Sequence, residues 1–347
     1  MTHRVAVVGA TGAVGQEILR TLEARGFPAS EIVPFASERS AGRTLEGPGA
    51  GLVVQALSDE AIKGFDVALF SAGSATSEQW APRFARAGAI VVDNSSQWRM
   101  DPEVPLVVGE VNPEAIDAHH GIVANPNCTT MQMVVALKPL HDAAGIERLI
   151  LSSYQSVSGT GMKAINEMLG QAHALLHESD PAPAAVYPHQ IAFNVIPQVE
   201  SFKDGDDYTT EERKVVAETR KILGEPDLRI SATCARVPVL VGHSESINLQ
   251  TREDLSPERA RELIAAAPGV QVLDDPANAL YPLTIDVAGQ DDVFVGRIRR
   301  DPSAERTLNL WVVGDNLRKG AALNAVQLAE LLDERGLLGG AGATRAA

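Results

Sequence analysis

Arg4-Val5-Ala6-Val7-Val8-Gly9-Ala10-Thr11-Gly12-Ala13-Val14-Gly15 is the stretch on which the reading of the fold turns. A short apolar run gives way to glycines spaced G-x-x-G-x-x-G, and Ile18, Leu19 and Leu22 then recur at the spacing of one helix face. An apolar run closed by glycine reads as a buried parallel strand. Small residues in the turn let the backbone approach a pyrophosphate, which the free N–H groups and dipole of the following helix attract. Strand, glycine turn and helix in this order predict the opening of a dinucleotide-binding unit, with Gly9, Thr11, Gly12, Ala13 and Val14 in the phosphate turn. Taken alone, the glycines also fit a tight turn in any α/β protein.

The pattern continues outward. Ile32 to Ala36, Asp66 to Phe70 and Ile90 to Asp93 read as further strands, with a helix over 76–87 between the last two. Each strand runs into small polar residues: Ser37-Glu38-Arg39-Ser40, Ser71-Ala72-Gly73-Ser74 and Asn94-Ser95-Ser96. Strands alternating with helices imply a parallel sheet, whose ligands lie off the carboxyl ends of the strands. Ser37, Arg39, Ser40, Ser71, Gly73 and Asn94 are therefore expected to face a cofactor. An NAD site usually places an acidic residue after the second strand. Here two hydroxyls and an arginine suit a 2′-phosphate, so the expected cofactor is NADP, with Glu38 the discordant member. Arg99 follows the fourth strand and brings a cation to the same edge.

Ala124-Asn125-Pro126-Asn127-Cys128-Thr129-Thr130 precedes a helical pattern from Met131 to Ala144. A cysteine in the first turn of a helix is favoured as thiolate, and the same N–H groups can hold an oxyanion. Cys128 is thus a candidate nucleophile; the alternative is a small buried hydrophobe.

Beyond it, strands are expected over 149–158, 230–235, 237–241, 246–251, 283–287, 293–297 and 307–313. Helices are expected after Gly161, from Thr210 to Leu223, from Ser256 to Ala267 and from Gly320 to Arg335, with an irregular excursion over 179–208. Arg236 and His243 flank a segment broken by Pro238 and Gly242, so both side chains can reach one cleft. His243 is a general acid/base candidate.

The expected architecture is α/β: a Rossmann-type parallel sheet over 1–127 and a second, α+β domain on a mixed sheet over 128–315. A C-terminal helix over 316–336 returns to the first domain, and 337–347 is a flexible tail. A chain of 347 residues is long enough for about two domains. The formal net charge of -15 argues against a nucleic-acid surface. Two cysteines, Cys128 and Cys234, fit a reducing compartment. With no signal peptide and no apolar span long enough for a bilayer, a cytoplasmic location without membrane contact is expected. No Cys/His cluster at zinc spacing occurs, so no metal is expected.

Together these motifs resemble the aspartate-β-semialdehyde dehydrogenase family. The resemblance covers nearly the whole chain through GATGAVG, SAGS, DNSS, PNCTT, YQSVSGTG, YPHQIAFNVIP, EERKVVAETRKILG, RVPVLVGHSESINLQT and DNLRKGAALNAVQ. It implies NADPH-dependent reductive dephosphorylation of L-β-aspartyl phosphate through a cysteine thioester, in lysine, threonine and methionine biosynthesis. By the resemblance Cys128 is the nucleophile, His243 the acid/base and Gln155 the group that orients the acyl-enzyme. Arg236 pairs with the substrate carboxylate, Arg99 and Lys221 bind phosphate, Glu218 faces the substrate amino group, and Asn127 belongs to the substrate site. Ser158, Gly159 and Asn316 join the cofactor set, and 128–315 becomes the catalytic and dimerisation domain, so that a homodimer, or a tetramer, is implied. Glu218 and Lys221, at i and i+3 on a helix, read otherwise as a surface pair. Thr129 stands where many members have serine, which keeps the hydroxyl. The alternatives are N-acetyl-γ-glutamyl-phosphate reductase, whose substrate lacks the ammonium that Glu218 would meet, and a nucleotide-binding relative without turnover.

Overall fold

The computed structural model describes residues 1–177 and 180–339. Their contacts divide the chain into two units, Met1–Asn127 with the chain from Ala321 onward, and Cys128–Gly320.

The first unit is built on β1 (His3–Val8), β2 (Ala29–Ala36), β3 (Gln55–Ala56), β4 (Val67–Phe70), β5 (Ile90–Asp93) and β6 (Ile122–Ala124). They lie in the order β3-β2-β1-β4-β5-β6, and every pairing is parallel. Val5 to Val8 and Val67 to Phe70 are wholly buried, which is why these strands read as continuous apolar runs without alternation. Helix α1 (Ala13–Arg25) follows β1, and α2 (Ser74–Arg86) follows β4.

The second unit opens with α3 (Cys128–Ala144), whose residues from Thr129 to Leu137 are all buried. Its sheet contains β7 (Ile146–Gln155), β8 (Arg229–Arg236), β9 (His243–Thr251), β10 (Val270–Val272), β11 (Val293–Arg300) and β12 (Thr307–Gly314), in the order β10-β11-β12-β9-β7-β8. The β7–β8 and β10–β11 pairs are parallel and the others antiparallel, so the sheet is mixed. Besides α3, the unit carries α4 (Met162–Leu176), α5 (Thr210–Leu223), α6 (Pro257–Ala265) and the single turn α7 (Thr284–Val287). Helix α5 begins with a capping box, Thr209 and Glu212 satisfying each other's backbone amides. The irregular chain over 180–208 is anchored to α4: Glu167 accepts from the amides of Ala185 and Val186 at 2.7 Å, and Gln171 from that of Ile191 at 2.9 Å. Ser179, counted in that excursion, lies outside the described residues.

The last helix, α8 (Leu323–Glu334), belongs to the first unit and lays Ala325, Val326, Ala329 and Leu332 into its core. The second unit runs on to Gly320, five residues past the boundary at 315 drawn from the sequence, so Asn316 lies in it. Leu337 and Leu338 were counted in a flexible tail; both pack on the first unit's core because their apolar side chains extend its buried face past the helix. Residues 340–347, the rest of that tail, lie outside the described residues.

Two expected strands are absent. Residues 237–241 are irregular, since Pro238 has no N–H and Gly242 has a positive φ of 94°. Leu283 to Val287 carries the turn α7 instead. The edge strand β10, only 3 residues long, had no periodicity to reveal it. Among the described residues, no helix is long and apolar enough to cross a membrane.

Candidate active site

In the first unit the glycine turn has steric reasons for its composition. Gly9 has a φ of 89°, and a Cβ there would come within 2.2 Å of the Ser71 carbonyl oxygen. A Cβ on Gly15 would meet the Gly9 carbonyl oxygen at 2.2 Å, so that glycine lets α1 close onto the turn. Gly12 is the N-cap of α1 and contributes no side-chain cap, leaving the first-turn amides around Ala13 and Val14 for an anion. Thr11 is exposed beside them. Gly73 is the N-cap of α2, with a φ of 82°.

Past β2, Ser37, Glu38 and Arg39 are exposed while Ser40 is buried. Among the described residues neither Arg39 nor Glu38 has an ion-pair partner. At the ends of β5 and β6 three amides interlock. Asn94 donates to the Phe70 carbonyl at 2.9 Å and receives the Asn125 amide; Asn125 in turn accepts from Asn324 at 2.6 Å. Buried Arg99 donates to the carbonyls of Asn94 (2.7 Å) and Asn125 (3.0 Å), which holds its guanidinium at the same edge. Asn127 is buried at the end of this unit.

In the second unit, the carboxyl ends of β7 and β8, the start of β9 and the first residue of α3 converge. Cys128 is that first residue, and its Sγ lies 3.3 Å from Nε2 of His243, which opens β9. Nδ1 of His243 accepts from the Ser156 amide at 3.1 Å, so a neutral ring carries its proton on Nε2, facing the sulfur. Burial, reinforced by the Arg236 charge, pushes the His243 pKa down to about 3 and keeps the ring neutral at physiological pH. Gly320 packs directly on Cys128: a Cβ there would lie 2.8 Å from Cβ of that residue.

Arg236 ends β8 and is buried; its Nη1 donates to the Ser156 carbonyl at 2.7 Å. Its Nε has no partner, and no carboxylate among the described residues pairs with the guanidinium. Gly159 lies against both Arg236 and His243, so the fold brings these two side chains together. Gln155 ends β7, with its Nε2 donating to Glu211 at 3.1 Å and to Ser153 at 3.3 Å. Asn316 is a hub: its Oδ1 accepts from the Gly242 amide (2.8 Å) and the Ser156 hydroxyl (3.0 Å), and its Nδ2 donates to Ser158 (3.0 Å). Glu218 on α5 is buried and Lys221 half-buried.

Cys234, the other thiol, is fully buried on β8, and burial drives its pKa far above the ordinary thiol range. Ser156 and Gly320 escaped the sequence reading. The place of Ser156, one residue past a strand that ends in Gln155, was the available signal; nothing local marks Gly320.

Two family models match the chain: semialdehyde dehydrogenase, NAD binding domain, over residues 4–119, and semialdehyde dehydrogenase, dimerisation domain, over 137–319. The aspartate-semialdehyde dehydrogenase of Aquifex aeolicus is 54% identical over 341 residues, 97% of this chain and 100% of that protein. Among solved structures, aspartate semialdehyde dehydrogenase II of Vibrio cholerae complexed with ASA superposes with a TM-score of 0.92 at 45% identity, covering 96% of this chain and 99% of that one. The aspartate semialdehyde dehydrogenase of Candida albicans with NADP reaches a TM-score of 0.74 at 27% identity, over 97% and 100%.

Proposed function

The chain belongs to the aspartate-semialdehyde dehydrogenase family, and we infer that it reduces L-β-aspartyl phosphate with NADPH to L-aspartate-4-semialdehyde and phosphate, through a thioester on Cys128. The observation that carries this reading is the Cys128–His243 pair at 3.3 Å, at the start of a helix.

The chemistry divides among the residues as follows. The Cys128 thiolate, favoured by the helix start and by donation from Nε2 of His243, attacks the acyl carbon, and phosphate leaves with the bonding electrons. The nicotinamide nucleotide, when bound, contributes hydride to the resulting thioester. Collapse of the tetrahedral oxyanion then releases aldehyde and returns Cys128 as thiolate. One proton is consumed in this direction, taken up by the phosphate as it leaves; collapse of the oxyanion itself needs none. At the sulfur and the oxyanion a neutral His243 that only donates a hydrogen bond is therefore sufficient; in the reverse direction the same nitrogen handles the thiohemiacetal proton. Arg236, a buried cation without an acidic partner among the described residues, suits the substrate carboxylate. We assign the phosphate to Arg99 and Lys221, the ammonium to Glu218, a place in the substrate site to Asn127, and orientation of the acyl group to Gln155. The Gly9 cradle, which a Cβ would fill, and the free Arg39 suit NADP, which Gly9, Thr11, Gly12, Ala13, Val14, Ser37, Arg39, Ser40, Ser71, Gly73, Asn94, Ser158, Gly159 and Asn316 would hold. We expect a cytoplasmic homodimer, or a tetramer made of two such dimers, serving amino-acid biosynthesis.

The test is phosphate-dependent reduction of NADP by aspartate semialdehyde, with N-acetylglutamate semialdehyde as control. Turnover with the first aldehyde alone is expected. Turnover with the second, or with neither while NADPH still binds, overturns the reading.

A further inference from the structure

Beneath the Cys128–His243 pair lies a carboxyl group for which the reaction has so far no use. Glu245 is wholly buried on β9, and neither of its oxygens has a hydrogen-bond donor. Gln132, one turn after Cys128 on α3, lies within hydrogen-bonding reach of that carboxyl, yet its own Oε1 is also without a donor. Buried acceptor oxygens left without a donor are unfavourable, and a proton on one of them supplies the missing donor. Turning the Gln132 amide over does not resolve this. Its Nε2 now donates to the His243 carbonyl at 3.3 Å, and reversal would set oxygen against that carbonyl, which has no proton to give. The side chain has little room to move elsewhere: a Cβ on Gly314 of β12 would come within 2.8 Å of Gln132 Oε1.

We propose that Glu245 is a neutral carboxylic acid whose O–H donates to Oε1 of Gln132, and that this bond positions the Cys128–His243 pair. Through Gln132 it ties the first turn of α3 to the first residue of β9, the two elements that carry sulfur and imidazole. Glu245 is a positioning residue and touches no reacting atom. Its surroundings support the protonated form. On its own strand His243 is held neutral; from β8 comes the unionised Cys234, itself coupled to Glu211 and Glu212 of α5. The register partners on β7 and β12 are Ser153 and Val312, which carry no charge. Burial raises the carboxyl's pKa well above its ordinary value. The proposal deepens the reading of Cys128 and His243 and rests on it for the positioning role; the protonation itself is tested without any turnover.

Two measurements compare the wild type with E245Q. An infrared difference spectrum is expected to show the carbonyl band of a protonated carboxyl in the wild type only. In unfolding from pH 5 to 8, the folded state holds a proton that the unfolded carboxyl releases. The wild type should therefore lose stability relative to E245Q as pH rises, its unfolding constant growing about tenfold per pH unit while the folded form stays protonated. Parallel stability curves without the infrared band mean an ionised Glu245 and overturn the proposal. Positioning is read from E245L and Q132L. Each should lower kcat by about 10-fold, the cost of an orphaned buried group, with nucleotide KM unchanged. E245Q, which keeps a donor and no charge, should restore most of what E245L loses. Wild-type kcat in E245L, or a pH profile of Cys128 alkylation that moves in E245Q, overturns the positioning role. Should E245L fail to fold, Q132L and the E245Q comparisons decide the matter.

Discussion

Gln155 and Arg236 are register partners at the carboxyl ends of the parallel strands β7 and β8. An amide and a guanidinium therefore leave the sheet at one rung, both buried, and the backbone fixes their separation before any substrate arrives.

For Arg236 this predicts that Arg236→Lys raises the substrate KM by about 10- to 100-fold, because an ammonium cannot reproduce the two-pronged carboxylate contact. The KM for NADPH should be unchanged. Steady-state kinetics with both substrates varied makes the comparison, and an unaltered substrate KM removes Arg236 from the substrate site.

Cys128→Ala should lower kcat by at least about 10³-fold, since no other group can carry the acyl intermediate. Nucleotide affinity, followed by fluorescence titration, should persist, because the glycine turn is built from other residues. Equal loss of both would disprove the nucleophile assignment.

Gly320→Ala tests how tightly the sulfur is held. The φ of Gly320 is not in the left-handed region, so alanine brings no backbone strain, only its methyl, 2.8 Å from Cβ of Cys128. Overpacking of this kind costs about 1–3 kcal/mol. We expect a lower thermal midpoint and a reduced kcat, with nucleotide affinity retained in a titration.

The His243 pKa, about 3 in the folded protein against an ordinary value of 6.5, makes stability depend on pH with a definite sign. Between those values the unfolded chain takes up a proton that the native ring refuses. The contribution is present above the unfolded pKa and is lost as pH falls toward the folded one. Urea midpoints at pH 7 and pH 5 should therefore drop more for the wild type than for His243→Gln. An equal drop would mean that the ring is protonated in the native state.

Arg39→Ala should raise the KM for NADP by roughly 10-fold or more and leave that for NAD unaffected, as expected for loss of a charge-assisted phosphate contact. The ratio of the two cofactors' kcat/KM is the measurement. A parallel change in both would assign the ribose to another group.

Local sterics explain what could be read in advance. The β1 turn is legible because Gly9 and Gly15 each answer a contact within a few residues or at the next strand, and Cys128 because a helix start is a local event. The segment 237–241 misled because Val237, Val239 and Val241 alternate like a strand, whereas Pro238 and Gly242 decide the backbone. Gln132 and Glu245 were hidden for a different reason. One polar residue in an apolar helix or strand looks like an exposed position until the packing that surrounds it is known. Gly320 owes its importance to a neighbour 192 positions earlier in the chain, a relation no local pattern carries.

Cys234 has a practical corollary. Its sulfur is sealed on β8 and holds its proton far into alkali, so in the folded protein a thiol reagent at neutral pH has one thiol to consume. With Cys128 as the proposed nucleophile, titrating that single equivalent should count competent subunits in any preparation, and inactivation by an alkylating reagent should follow thiol loss one for one, which would make the chain its own active-site standard.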